Sequence, residues 1–178
     1  MINMMHCDCM EYMAALPDKA FELAIVDPPY GINWMEQIEN PNTGKNWKIY
    51  EKKEWDLSAP NQEYFDELFR VSKNQIIWGG NYFPLPPTPC YVAWDKMQEF
   101  SGATFELAWT SFVSPAKSFR MSRVEAYVGQ NKIHPTQKPV ALYKWLLSRY
   151  AKPGDRILDT HGGSGSICIA CHDLGFDL

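Results

Sequence analysis

The chain has 178 residues, enough for one domain with a substantial core and too few for two large ones. A net charge of −4 excludes a global basic field, so any contact with nucleic acid must come from local patches. The sequence has five cysteines, no secretory start and no apolar run of about 18 residues, which indicates a reduced cytoplasmic protein without a membrane span.

Short apolar runs alternate with helical patterns along the chain, which is typical of an α/β protein with a mostly parallel sheet and helices on both faces. Residues 1–6 are a candidate for a short first strand. We expect residues 1–178 to form one domain. The other predicted strands are residues 21–26, 75–79, 90–94, 104–112 and 156–159.

Apolar residues at helical spacing predict helices over residues 58–73, 139–155 and 165–175. In the first of these, Ser58 is the predicted N-cap and Pro60 fits the first turn. Pro153-Gly154 should end the second helix, and Gly175 the third.

The stretch RILDTHGGSGS, residues 156–166, combines a strand end at Asp159 with a glycine-rich turn and a helix start. Glycines let backbone amides approach a ligand, and the following helix presents its N-terminus. The pattern therefore favours a cofactor-binding turn, with a merely structural tight turn as the alternative.

The stretch DPPYG, residues 27–31, directly follows the apolar run FELAIV. Asp27 can accept a hydrogen bond from an amino group, and the carbonyl of Pro28 can accept a second, while Pro28 and Pro29 make the backbone rigid. The ring of Tyr30 can stack on a planar base. These groups would grip the exocyclic amino group of a nucleobase; the alternative is an ordinary turn after a strand.

A third motif, HPTQKP, spans residues 134–139 and precedes a predicted helix. The hydroxyl of Thr136 and the ammonium of Lys138 would lie near that helix N-terminus, where they can hold a carboxylate. The alternative is a helix start with a coincidental cation.

Together these three motifs resemble those of the amino-group DNA methyltransferases that use S-adenosylmethionine. DPPY comes first here and the glycine-rich motif lies near the C-terminus, an order similar to that of the circularly permuted β group. The resemblance covers most of the chain. It implies a Rossmann-like class I methyltransferase sheet, with Asp27, Pro28, Pro29 and Tyr30 as catalytic residues.

The resemblance also implies a cofactor site, in which Asp8 contacts the cofactor adenine. Three residues depart from the family pattern: Cys7 replaces Gly, Thr160 replaces Pro and His161 replaces Phe. His161 either lines the cofactor or is a hydrogen-bonded core histidine. The cofactor-binding residues implied by the resemblance are Asp8, Asp27, Thr136, Lys138, Asp159, His161, Gly163, Ser164 and Gly165.

Related enzymes have a further strand beyond the position of Leu178, and an acid at its end grips the cofactor ribose. The resemblance places that strand between the one at residues 156–159 and the one at residues 1–6. We therefore expect this chain to lack the last strand of the sheet and the natural protein to continue past Leu178.

The implied reaction is transfer of a methyl group to the exocyclic amino group of adenine in double-stranded DNA, after the base has been flipped out. Adenine is favoured because the motif begins with Asp27, whereas cytosine-directed relatives more often begin with Ser. The alternatives are a cytosine amino-methyltransferase and a catalytically decayed DNA-binding relative. A nicotinamide-dependent Rossmann enzyme fits poorly, because GGSGS lacks the Gly-x-Gly-x-x-Gly spacing.

Two polar segments, residues 31–57 and 113–133, lack regular patterns and are candidate loops for DNA contact and target recognition. Their cations would neutralise phosphates, although a solvated surface is the alternative for each cluster. The candidate DNA-binding residues are Lys45, Lys48, Lys52, Lys53, Lys117, Arg120 and Arg123.

Other features leave alternatives open. Asp95 and Lys96 would either line the base pocket or form ion pairs at a strand end. The stretch CIACH, residues 168–172, has haem-attachment spacing but lies in a predicted helix, so free thiols and no metal site are expected. The resemblance allows a homodimer and a cognate restriction enzyme as partners, in a bacterial or phage-infected cell.

Overall fold

A computed structural model describes residues 1–33, 56–98, 103–127 and 137–178. Within these ranges no helix is long and apolar enough to cross a membrane. The helices are α1 (Cys9–Ala14), α2 (Gln62–Val71), α3 (Arg123–Ala126), α4 (Val140–Tyr150) and α5 (Ser166–Leu174). The strands are β1 (Phe21–Val26), β2 (Ser72–Trp78), β3 (Tyr91–Asp95), β4 (Phe105–Thr110), β5 (Lys117–Arg120) and β6 (Ile157–Leu158).

These strands form a mixed sheet in the order β5-β3-β4-β2-β1-β6. β1 is parallel to β2 and β6, and β3 is parallel to β5, whereas β4 is antiparallel to both β2 and β3. The predicted mostly parallel sheet is confirmed, with β4 as the reversed strand. Because β1 and β6 are parallel neighbours, the segments that follow them leave the sheet at the same edge.

Apolar side chains of β1 are buried on both faces of the sheet. Leu23 and Ile25 belong to a cluster that includes Leu142 of α4 and Ile167 of α5. Ala24 and Val26 belong to a second cluster, which contains residues of α1 and α2. Helices covering both faces explain why FELAIV ends in an unbroken apolar run rather than in alternating polar and apolar residues.

The prediction of residues 113–133 as a loop is wrong in part, because β5 pairs with β3 there and α3 follows it. Several boundaries also differ from the sequence prediction. The predicted N-cap Ser58 is wrong: Asn61 caps α2, and its side chain accepts a hydrogen bond from Tyr64 N at 3.2 Å. β2 begins at Ser72 rather than at residue 75, because its polar first residues pair with the start of β1. At the other end of the chain, Gly175 ends α5 in a left-handed conformation, as predicted.

Residues 1–6 do not form the predicted strand, but they lie beside the last residues of the chain. Asn3 N donates to the carbonyl of Leu178 at 2.7 Å, and Leu178 N donates to the carbonyl of Met1 at 3.0 Å. On the other side, Ile157 N of β6 donates to the carbonyl of Asp177 at 2.8 Å. Residues 176–178 therefore lie where the resemblance places a further strand.

Candidate active site

Two acidic residues lie at the edge where β1 and β6 end. Asp27 follows β1 directly, and Asp159 follows β6. Burial raises the pKa of Asp159 to about 7, and the nearby charge of Asp27 adds to this rise. Because β1 and β6 are parallel neighbours, the DPPYG segment and the glycine-rich turn, which are far apart in sequence, begin at the same edge of the sheet.

Both carboxylate oxygens of Asp27 have partners. Oδ1 accepts a hydrogen bond from the hydroxyl of Tyr30 at 2.7 Å, and Oδ2 forms an ion pair with the ammonium of Lys138. Lys138 lies just before α4 and is 3% exposed, so its charge is almost fully removed from water. The same ammonium lies 3.3 Å from Oε2 of Glu106 in β4.

Four charged groups alternate in a chain that we call the charge network: Asp27, Lys138, Glu106 and Lys96. Lys96 Nζ lies 2.7 Å from Glu106 Oε1. Burial opposes the charge of Glu106, but Lys138 and Lys96 outweigh it and lower its pKa below the ordinary value. Burial likewise opposes the charge of Lys138, but Asp27 and Glu106 raise its pKa above the ordinary value.

Protein contacts hold the backbone and the ring of Tyr30. The backbone N–H groups of Tyr30 and Gly31 donate to Oδ1 of Asp56 at 2.7 and 3.0 Å, and Asp56 is 4% exposed. The ring lies directly against Gly79, where a Cβ atom would come within 2.2 Å of it. The ring also stacks on Tyr82 with centroids 5.0 Å apart and lies edge-on to Phe83 at 6.1 Å.

The glycine-rich turn is open, in contrast to the surroundings of Tyr30. A Cβ atom added at Gly162 or Gly165 would meet no described atom within 4 Å. Gly165 is the N-cap of α5 in a left-handed conformation, and no side chain caps this helix start. Asp159 Oδ1 accepts a hydrogen bond from His161 N at 2.9 Å, which fixes the beginning of the turn.

A hydrogen-bonded triplet lies beside this turn. The hydroxyls of Tyr64 and Thr160 are 2.7 Å apart, and Thr160 Oγ1 is 2.9 Å from Nδ1 of His161. Tyr64 is buried, so its hydroxyl should donate to Thr160, whose own hydrogen then points to Nδ1. Burial also lowers the pKa of His161, which favours a neutral imidazole whose proton lies on Nε2.

Residues 48–177 match the sequence profile of the N6/N4 methyltransferases, described as DNA methylase. The chain belongs to the DNA methylase family. The family resemblance predicted from the three motifs is thereby confirmed, although the matched range begins after DPPYG.

Individual relatives agree with this assignment. The chain is 23% identical to "Putative methylase YubD" of Escherichia coli (strain K12) over 198 residues, which cover 94% of the chain and 78% of that protein. It is also similar to the M1.HpyAVI-SAM complex, with a TM-score of 0.59, 19% identity and coverage of 99% of this chain and 91% of that one.

A further similar structure is the PvuII DNA methyltransferase, described as cytosine-N4-specific. Its TM-score is 0.56 at 12% identity, and the match covers 97% of this chain and 78% of that one. Both solved structures confirm the predicted class I methyltransferase fold.

The remaining predicted cofactor-binding residues of this methylase lie at a helix start, in the glycine-rich turn or outside the described part of the chain. Asp8 is the N-cap of α1, and its side chain accepts from Met10 N at 2.7 Å. Ser164 Oγ lies 3.0 Å from Ser166 Oγ within the turn, and Gly163 has a positive φ of 49°. Thr136 lies outside the described residues. Cofactor contact by these residues stays a prediction.

Three of the seven predicted DNA-binding residues lie within the described part of the chain. Lys45, Lys48, Lys52 and Lys53 lie outside the described residues. Lys117 is exposed on β5, Arg123 begins α3, and Arg120 Nε lies 3.0 Å from Asp95 Oδ2. Asp95 and Lys96 thus both form ion pairs, the second of the two interpretations given for them.

Sequence reasoning missed Glu106, Asp56 and Gly79. Glu106 carried a usable signal, since a charged residue within the apolar strand FELAWT needs a partner or a function when it is buried. The pair Gly79-Gly80 directly after β2 was a second signal of a close approach. Asp56 carried none, because its partners are backbone amides distant in sequence.

Proposed function

We propose that this protein transfers a methyl group from S-adenosylmethionine to the exocyclic amino group of adenine in double-stranded DNA. The observation that carries the proposal is the position of Asp27, a fixed carboxylate beside Tyr30 and Lys138 at the edge where the open glycine-rich turn also lies. Membership of the DNA methylase family supports the reaction class.

The residues of the glycine-rich turn fit S-adenosylmethionine. Gly162 and Gly165 leave space into which no described atom packs, and the uncapped start of α5 offers free backbone donors beside it. Asp159, Gly163 and Ser164 would hold the ligand at the same turn. When bound, this group supplies an electrophilic methyl carbon.

Asp27 would hold and orient the amino group of the flipped base. A hydrogen bond from that group directs the nitrogen lone pair away from the carboxylate, and Asp27 receives the proton late in the reaction. Lys138 balances the carboxylate charge in a buried setting. Because the contribution is positioning and electrostatics, no covalent intermediate on the protein is required.

Adenine is the proposed base because the motif begins with Asp27. Cytosine is the second candidate, since a structure of the same fold is described as cytosine-N4-specific. Base flipping would cost a few kcal/mol, which stacking on Tyr30 would partly offset. The two predicted DNA-contacting loops, a cytoplasmic location, a homodimer and a cognate restriction enzyme stay predictions.

The test is incubation of unmethylated DNA with tritiated S-adenosylmethionine and the wild type or Asp27→Ala, followed by digestion to nucleosides. We expect label in adenine that falls by at least about a hundredfold in Asp27→Ala, because the oriented acceptor is lost. Asp66→Ala, which removes an exposed carboxylate of α2, is the matched control and should leave the label unchanged.

Label in cytosine would retain the reaction and overturn the base. A folded wild type that binds S-adenosylmethionine but labels neither base would overturn the proposed reaction and favour a decayed DNA-binding relative.

A further inference from the structure

The Asp27 carboxylate is engaged on both sides in this structure. One oxygen accepts from the Tyr30 hydroxyl, and the other is paired with the Lys138 ammonium. Each carboxylate oxygen has two acceptor sites, so Asp27 can accept a further hydrogen bond, but its pair with the Lys138 ammonium draws charge from the carboxylate and weakens it as an acceptor for the amino group of a base. The neutral Tyr30 hydroxyl weakens the carboxylate less, whereas the buried ammonium cannot move away unless another anion takes its charge.

Glu106 is the anion in position to do this. Its Oε2 is already 3.3 Å from Lys138 Nζ, so a small movement of the ammonium exchanges one carboxylate for the other. Lys138 is 3% exposed, which excludes water as an adequate substitute. The rings of Trp78 and Tyr30, at 5.1 and 5.9 Å from Nζ, also stabilise the ammonium by cation–π interactions.

On the basis of the proposed function, we propose that Glu106 is a positioning residue for methyl transfer: it shares the Lys138 ammonium with Asp27 and becomes its main counter-charge when Asp27 turns to the amino group of the base. Lys96 has a different place in the charge network. It pairs with Glu106 at 2.7 Å and forms no hydrogen bond or ion pair with Asp27 within the described residues, so it balances Glu106 without competing for Asp27.

Other titratable groups interact electrostatically with members of the charge network. Tyr143 of α4 is buried, and burial followed by the charge of Asp27 raises its pKa well above the ordinary value, so it stays neutral. Asp159 interacts electrostatically with both Asp27 and Lys138, and it adds negative charge as it ionises. The groups around Lys138 are Asp27, Tyr30, Lys96, Glu106, Tyr143 and Asp159, of which Glu106 can be neutralised without touching the DPPYG segment.

The first experiment follows the pH titration of the Lys138 side chain by NMR in the wild type, Glu106→Gln and Lys96→Met, with the signal assigned by its loss in Lys138→Met. Glu106→Gln removes one of two anions beside Lys138, so the Lys138 pKa should fall. Lys96→Met removes a cation from Glu106, so the Lys138 pKa should stay or rise. An unchanged pKa in Glu106→Gln, or an equal fall in both variants, would overturn the proposal.

The second experiment measures single-turnover methyl transfer across pH. In Glu106→Gln the Lys138 ammonium has Asp27 as its remaining carboxylate and should hold it, which lowers the rate at neutral pH by at least about tenfold. The rate should recover as pH rises through the Lys138 pKa measured by NMR, because the neutral amine releases Asp27. Glu106→Asp, which keeps the carboxylate, should restore part of the rate at neutral pH.

A Glu106→Gln rate that is normal, or one that is reduced equally at every pH, would overturn the positioning role. The two experiments also separate this proposal from the proposed function. If the wild type transfers no methyl group, the NMR titration still shows whether Glu106 shares the Lys138 charge.

Discussion

The DPPYG segment after β1 and the glycine-rich turn after β6 lie at the same edge of the sheet, yet the glycines within or packed against these two segments have opposite surroundings. A Cβ atom at Gly31 would come within 2.7 Å of Ala59 N, and one at Gly79 within 2.2 Å of the Tyr30 ring. A Cβ atom at Gly162 or Gly165 would meet no described atom within 4 Å. Close packing explains the first pair of glycines. In the second pair, the positive φ of 69° explains Gly165, whereas Gly162 has neither a close neighbour nor a positive φ, and the proposed cofactor would give it a purpose.

The acidic side chains of the two regions also differ in how many partners the protein gives them. Asp27 has an ammonium and a hydroxyl as partners. Among the described residues, the side chain of Asp159 receives one backbone hydrogen bond, from His161, and forms no ion pair. The protein itself therefore supplies the partners on the DPPYG side, whereas the glycine-rich side stays open, as expected if the proposed cofactor completes it.

The strongest test of this contrast is Gly79→Ala. Overpacking costs about 1–3 kcal/mol and a left-handed non-glycine residue about 1–2 kcal/mol, so we expect a loss of about 3 kcal/mol in the free energy of unfolding. The φ of +71° and the Tyr30 ring at 2.2 Å from the new methyl group are the causes. Urea denaturation measures the loss, and a value within about 1 kcal/mol of the wild type would show that Tyr30 is not held by this packing.

The fold was predictable where local sequence decides structure. The bounds of β1 were predicted correctly because FELAIV is apolar and is followed by prolines that cannot extend a strand. The start of β2 was not, since Ser72, Lys73 and Asn74 are polar and become a strand only by pairing with β1. The N-cap of α2 was misplaced because Ser58 and Asn61 are both good caps, and only the path of the chain decides between them.

The site was predictable where a motif keeps its parts together. Asp27 and Tyr30 are three residues apart, and their hydrogen bond follows from one short segment. Lys138 was found by its own motif, but its contact with Asp27 joins residues 111 positions apart, so its partner could not be predicted. Glu106 was missed for the same reason: its role depends on two lysines that the fold brings to it from other segments.

A test of intermediate size concerns the uncompensated acid, Asp159. Its pKa is about 7 in the folded protein against an ordinary value of 3.8, so the folded state binds this proton more tightly than the unfolded state. Its contribution to stability is therefore present below about pH 4 and is lost as pH rises to about 7. Asp159→Asn should flatten this decline, and urea denaturation across that pH window measures it.

The matched control is Asp66→Asn, an exposed acid that should retain the wild-type pH dependence. Equal pH profiles for the wild type and Asp159→Asn would mean that Asp159 has a counter-charge. The contrast between a paired Asp27 and an unpaired Asp159 would then be wrong.

The smallest effect on stability is expected for Gly162→Ala. Gly162 has no positive φ, and an added methyl group meets no described atom within 4 Å, so the free energy of unfolding should change by no more than about 0.5–1 kcal/mol. Alanine restricts the unfolded chain more than glycine does, which favours a slight gain in stability. The same methyl group enters the space assigned to S-adenosylmethionine, and we expect its dissociation constant to rise about tenfold, a change of about 1.4 kcal/mol. Thermal unfolding and isothermal titration calorimetry on one preparation give both values. Unchanged affinity with unchanged stability would show that the turn faces solvent rather than the cofactor, and the open space beside Gly162 would then lose its explanation.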